Sequence, residues 1–162
     1  MGVEINFLAT QPKTVRDYAK RVQEKTPEVV RIAKQFGRDF FDGDRKFGYG
    51  GYKYDGRWKP VVKRMKDYYN LQENSSILDI GCGKGFMLHD FKELMPNCKV
   101  AGVDVSAYAI EDAMQSVEPF LKVASAEKLP YPDKSFDLVI SINTILTILT
   151  ILAIVTILAI VT

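Results

Sequence analysis

The chain has 162 residues, 47% of them hydrophobic and 26% charged, the make-up of an ordinary globular domain with enough length for a real core. Its net charge of +2 hides an asymmetry: residues 1–70 hold 16 Lys and Arg against 9 Asp and Glu, while 71–162 hold 6 against 11. The basic residues are spaced as on solvated helix faces and form no dense block, so nucleic acid is not the expected partner. Cys82 and Cys98 are the only cysteines and His89 the only histidine, which excludes a zinc site and favours a reducing, cytoplasmic setting. The N-terminus lacks the basic-then-apolar pattern of a signal peptide.

Residues 1–13 show no sustained pattern. From Thr14, a plausible N-cap, Val15, Tyr18, Ala19 and Val22 follow helical spacing. Thr26-Pro27-Glu28 marks a second helix start, with Val29, Ile32, Ala33 and Phe36 as its apolar face and Gly37 as its stop. Together these predict a helical arm ahead of the main sheet.

Residues 40–58 change character. Five glycines are interleaved with Phe40, Phe41, Phe47, Tyr49, Tyr52, Tyr54 and Trp58, a composition unsuited to a polar linker or a regular helix. Two readings stay open. The segment is a lid over a ligand, with Tyr49, Tyr52, Tyr54, Arg57 and Trp58 as contacts, or its aromatic rings pack the arm against the sheet. Lys59-Pro60 opens a further amphipathic helix through Val61, Val62, Met65 and Tyr69.

Strand and helix then alternate. Ile77–Ile80 reads as a strand, Phe86 to Met95 as a helix, Lys99–Asp104 as a strand, Ser106 as the cap of a helix through Met114, Leu121–Ala124 as a short strand and Phe136–Ser141 as a fourth. Near-continuous apolar strands in βαβ order predict a doubly wound α/β domain with a mainly parallel sheet covered on both faces. The tail breaks the pattern. From Ile145 to Thr162 only Ile, Leu, Val, Ala and Thr occur, and isoleucine recurs at every third position, a period of neither strand nor helix. It reads as a low-complexity apolar tail in place of the further strands such a sheet calls for, so the sheet is expected to be incomplete there. Leu138 to Thr162 is long enough to span a membrane, but Ser141 and Asn143 near its start and the missing basic flank argue against an anchor. The expected division is 1–70 for the arm and aromatic segment, 71–144 for the α/β core, and 145–162 for the tail.

The stretch Ile77-Leu-Asp-Ile-Gly-Cys-Gly-Lys-Gly85 carries the chemistry. Alternate glycines between strand and helix let the backbone approach a ligand and aim free helix N–H groups at it. Phe86 stands where a dinucleotide fingerprint needs its third glycine, and no P-loop pattern is present. Asp79 would repel a pyrophosphate and suits a ligand with an ammonium group. Asp104, ending the second strand, is placed to accept hydrogen bonds from two ribose hydroxyls.

These residues, with Gly102-Val-Asp-Val-Ser106 and Ala126-Glu-Lys-Leu-Pro-Tyr-Pro-Asp-Lys-Ser-Phe-Asp-Leu-Val-Ile-Ser141, resemble the successive motifs of class I S-adenosylmethionine-dependent methyltransferases over about Ile77 to Asn143. The resemblance implies a Rossmann-like fold and S-adenosylmethionine as cofactor. By it, Asp79, Gly81, Cys82 and Gly83 line the methionine end, and Asp104 holds the ribose. Val105, Ala126 and Glu127 surround the adenine, and Ser141 and Asn143 lie near the sulfonium. Ser125 departs from the aspartate that members often carry, which weakens the expected contact to the adenine amino group. The implied function is methyl transfer to a small-molecule acceptor, with no metal and no identifiable catalytic base. Two alternatives stand beside it: a non-catalytic cofactor-binding fragment of such an enzyme, and a nicotinamide-dependent oxidoreductase.

Overall fold

The computed structural model describes residues 5–11, 18–142, 144 and 158–161. Its centre is a sheet in the order β3-β2-β1-β4-β5, built from β1 (Ser76–Ile80), β2 (Lys99–Asp104), β3 (Leu121–Val123), β4 (Leu138–Ser141) and β5 (Leu158–Val161). The first four strands are parallel, with Asp79 opposite Gly102 on one side and Ile140 on the other. This is the α/β architecture that the apolar runs predict. β5 runs antiparallel to β4, pairing Ile140 with Ala159, so part of the repetitive tail supplies a strand. A β-branched segment against an otherwise open sheet edge accounts for that pairing. Residues 145–157, and with them most of the tail reading, lie outside the described residues, as do Thr14, the expected first cap, and Asn143.

Six helices accompany the sheet among the described residues: α1 (Tyr18–Glu24), α2 (Pro27–Ala33), α3 (Arg38–Asp42), α4 (Lys59–Tyr69), α5 (Phe86–Leu94) and α6 (Ala107–Glu111). Thr26 caps α2 as its sequence requires, its hydroxyl accepting the Val29 N–H. The arm is less embedded than its spacing predicts. Val22 is 71% exposed, and no residue of α2 is buried. Gly37 ends no helix; it precedes α3, a single turn inside a segment expected to be irregular throughout. The core lies where α4 and α5 meet β1 and β4, with Val61, Val62, Met65, Leu88, Phe91, Ile77, Leu138 and Ile140 fully buried. α6 lies against β2 and β3 and stops at Glu111, short of the predicted Met114. Ala113 and Met114 still pack on the core, but from a turn in which the Met114 N–H donates to the Lys84 carbonyl.

Because β2 and β3 extend the sheet to one side of β1 and β4 to the other, the loops leaving the carboxyl ends of these strands diverge and open a crevice.

Candidate functional site

A cavity of about 270 Å³ occupies that crevice. Its floor comes from the strand ends: Ile80 and Gly81 at the end of β1, Asp104 and Val105 at the end of β2, Ala124 to Glu127 after β3, and Ile142 and Thr144 after β4. Phe36, Phe40, Phe41, Tyr49 and Tyr52 form an aromatic wall.

The glycine loop is shaped by backbone that side chains resist. Gly81, Gly83 and Gly85 have φ of 80°, 54° and 75°. At Gly83 a Cβ would sit 3.1 Å from Tyr52 Cε1, so the glycine is what lets the aromatic wall close on the loop. The Gly83 N–H donates to Asp104 Oδ2 at 2.8 Å, and Ser106 N–H donates to Asp104 Oδ1 at 2.9 Å. Each Asp104 oxygen therefore holds one N–H and keeps acceptor capacity.

Asp79 is 4% exposed, and among the described residues no hydrogen bond or ion pair engages its carboxyl group. Burial, reinforced by the nearby Asp104 charge, pushes its pKa up from 3.8 to about 7. Burial likewise raises the Cys82 thiol and the Tyr52 phenol, each further disfavoured by the Asp79 and Asp104 carboxylates. A buried carboxylate without a cation is costly, and a positively charged ligand group beside it removes the cost.

The sequence-predicted residues divide. Gly81, Gly83, Asp104, Val105, Ala126, Glu127, Tyr49 and Tyr52 line the cavity together. Asp79, Cys82 and Ser141 are buried and do not line it, and Ser141, at the end of β4, has no partner for its Oγ among the described residues. Tyr54, Arg57 and Trp58 do not line it. The Tyr54 hydroxyl donates to Asp90 Oδ1 at 2.6 Å, Arg57 pairs with Asp55, and Trp58 packs on the core. Within residues 40–58, part walls the cavity and part packs on α5. His89 is occupied by Ser116 at 2.7 Å, outside the cavity.

Sequence reasoning missed Phe36, Phe40, Phe41, Ala124, Ile142 and Thr144 as lining residues, and treated Ser125 only as a departure. A signal existed for the phenylalanines: 36, 40 and 41 recur at helical spacing across the start of the glycine-rich segment, too apolar for a solvated arm. Phe36 is held at φ 49°, unusual for a bulky residue, while its carbonyl accepts the Ser106 hydroxyl at 2.5 Å. That bond ties the arm to the loop after β2.

Among the described residues no helix is long and apolar enough to cross a membrane, and no three His, Cys, Asp or Glu side chains converge as metal ligands.

Residues 77–161 match the family model described as a methyltransferase domain. Phosphoethanolamine N-methyltransferase 3 of Arabidopsis thaliana is 30% identical over 139 residues, covering 79% of this chain and 24% of that protein. The malonyl-[acyl-carrier protein] O-methyltransferase of Hahella chejuensis is 37% identical over 68 residues, 40% of this chain and 24% of its own length. The chain thus spans about a quarter of these relatives. Among solved structures, the plantazolicin methyltransferase BpumL, in complex with a pentazolic desmethylPZN analog and SAH, matches with a TM-score of 0.50 at 21% identity, over 69% of this chain and 48% of that one, a likeness of fold. With its glycine loop, its strand-end aspartate and a family match over more than half its length, this chain belongs to the methyltransferase-domain family as a class I methyltransferase-like domain.

Proposed function

We propose that this chain binds S-adenosylmethionine in the crevice above β1 and β2 and takes part in methyl transfer to a small-molecule acceptor. The observation that carries the reading is Asp79: a buried carboxyl group without a partner among the described residues, next to a glycine loop that admits close backbone approach. The ammonium of a bound amino-acid moiety satisfies it. Two further observations fit the same cofactor. Asp104 keeps acceptor capacity on both oxygens for a pair of ribose hydroxyls, and Val105, 54% exposed on the cavity, offers an apolar surface for an adenine ring to cover.

In this reading Gly81, Cys82 and Gly83 receive the methionine portion, Ala126 and Glu127 border the adenine, and Ser141 stands near the sulfonium. Tyr49 and Tyr52 exclude water from that end. When bound, the cofactor supplies an electrophilic methyl group, so the protein's task is orientation and exclusion of solvent. Among the described residues no lysine or arginine lines the cavity, while Asp104 and Glu127 do, a field suited to a cationic ligand. Residues 1–70, 71–144 and 145–162 serve as arm and wall, cofactor core and tail. The two free, buried cysteines suit a reducing cytoplasm.

Calorimetric titration with S-adenosylmethionine and S-adenosylhomocysteine, comparing wild type with Asp104→Ala, tests the proposal. Micromolar binding to the wild type that weakens in the variant is expected; no binding of either compound to the wild type refutes it.

A further inference from the structure

The glycine loop contains one long side chain, Lys84, and it points inward. Its side chain is 6% exposed, with Nζ 2.6 Å from Asp42 Oδ2 and 2.7 Å from Asp112 Oδ2, above the Tyr108 ring. Burial opposes its charge, but the two carboxylates more than offset this and raise its pKa. Asp112 is 57% exposed, so solvent screens that arm; Asp42, at 21%, is the sheltered partner.

Asp42 ends α3 and opens the aromatic, glycine-rich segment. Besides Lys84, it accepts the Tyr108 hydroxyl at 2.7 Å on Oδ2 and the Tyr52 N–H at 3.0 Å on Oδ1. One carboxylate therefore joins the glycine loop, α6 and the backbone of the cavity wall. Just before Tyr52, Gly50 and Gly51 have φ of 69° and 104°, and the Tyr52 ring stacks on Phe86 at 4.7 Å. The wall is thus a strap with glycine joints on one side and a stacked ring on the other. Its fixed point on the loop is the ion pair.

Gly83 and Lys84 are consecutive, so the backbone that donates to Asp104 also carries the ammonium. A ligand that fixes Gly83 fixes Lys84, and in leaving Asp42 Lys84 gives up the more sheltered of its two carboxylate partners and keeps only the more exposed Asp112.

We propose that Lys84 is a positioning residue that couples occupancy of the glycine loop to closure of the aromatic strap 43–56 through Asp42. The proposal rests on the S-adenosyl reading above. By reciprocity, whatever holds the strap closed also tightens the cofactor.

Hydrogen exchange of the 43–56 amides in the full chain, with and without S-adenosylhomocysteine, reads this coupling directly. In the wild type the compound is expected to slow exchange at Tyr52 and its neighbours about tenfold, within the usual range of coupling between two sites. In Lys84→Met that slowing falls below about twofold and affinity for S-adenosylhomocysteine drops about five- to fifty-fold, while Lys84→Arg restores part of both. Asp42→Asn leaves Lys84 paired with Asp112 and so protects against a variant that fails to fold; it must show the same loss of slowing. A purely structural role lowers the unfolding temperature but leaves the ligand-induced difference intact. Full slowing in Lys84→Met or Asp42→Asn that still bind S-adenosylhomocysteine overturns the coupling alone. A wild type that does not bind S-adenosylhomocysteine overturns the cofactor reading and the coupling with it.

Discussion

Asp79 makes a sharp prediction about pH. In the free protein its pKa lies at about 7, because burial and the Asp104 charge disfavour ionisation. A ligand ammonium favours the carboxylate, so binding releases a proton below pH 7 and affinity rises as pH climbs through 7. One pH unit below that value, the protonated fraction costs about tenfold in affinity. The ligand's own amine titrates nearby and contributes a descending limb, so the informative quantity is the ratio of wild-type to Asp79→Asn affinity. That ratio should rise about tenfold from pH 6 to 7.5 and then flatten, the asparagine variant lacking the ascending limb. The free protein responds with the opposite sign. Since the folded pKa is raised, the stabilising contribution is whole below 3.8 and is lost as pH rises towards 7. Asp79→Asn should therefore stabilise the ligand-free chain at pH 8, by at most about 4 kcal/mol, the equivalent of a shift from 3.8 to about 7. Calorimetric titrations and thermal melts from pH 5.5 to 8.5 measure both. A flat affinity ratio together with a destabilised asparagine variant would refute the placement of a cation beside Asp79.

The remaining predictions concern neighbouring parts. Asp104→Ala removes the acceptor of the Gly83 and Ser106 N–H groups and, with it, the proposed ribose anchor, and each charge-assisted bond is worth about 1.5–3 kcal/mol. Affinity for S-adenosylhomocysteine should fall at least tenfold by titration. Gly85→Ala forces a Cβ to 2.7 Å from Val117 Cγ2 at φ 75°, and a loss of about 1–3 kcal/mol is expected in urea unfolding. Tyr54→Phe deletes the donor to Asp90 Oδ1; since Oδ2 already lacks a partner, a poorly satisfied buried carboxyl group remains, at a cost of about 1–3 kcal/mol in the same assay. Phe91→Ala empties a fully buried site between α4 and the sheet, and about 3–5 kcal/mol should be lost.

The α/β core was legible because parallel strands covered on both faces must be apolar throughout, and each ends on a residue of different chemistry. β2 runs from Lys99 to Asp104 as its sequence reads, and β1 stops where Gly81 takes φ 80°. Apolar spacing proved a better guide to burial than to helix length. Ala113 and Met114 keep the spacing of α6 and reach the core, yet the chain leaves the helix at Glu111 because the Lys84 carbonyl offers Met114 N–H a partner outside it. The same spacing overstated α1, where Val22 faces solvent: a short arm has too little neighbouring surface to bury both helices.

Half of the candidate site follows from local rules and half does not. Glycines and strand-end acids announce themselves, because the loop after β1 takes left-handed backbone and the carboxylate that fixes it stands at the end of the very next strand. The aromatic wall obeys no such local constraint. Tyr52 and Tyr54 are two residues apart and both touch Phe86, yet one closes on Gly83 and the other turns to Asp90. What separates them is Asp42, whose Oδ1 takes the Tyr52 N–H and fixes that backbone over the loop. Asp42 is itself paired with the Lys84 ammonium, forty-two positions away in sequence, a partner that no pattern in residues 40–58 announces. Wall and loop thus meet through a contact remote in sequence, which is why Lys84, unremarked as a candidate from sequence, becomes the residue whose removal tests whether the wall and the glycine loop act as one unit.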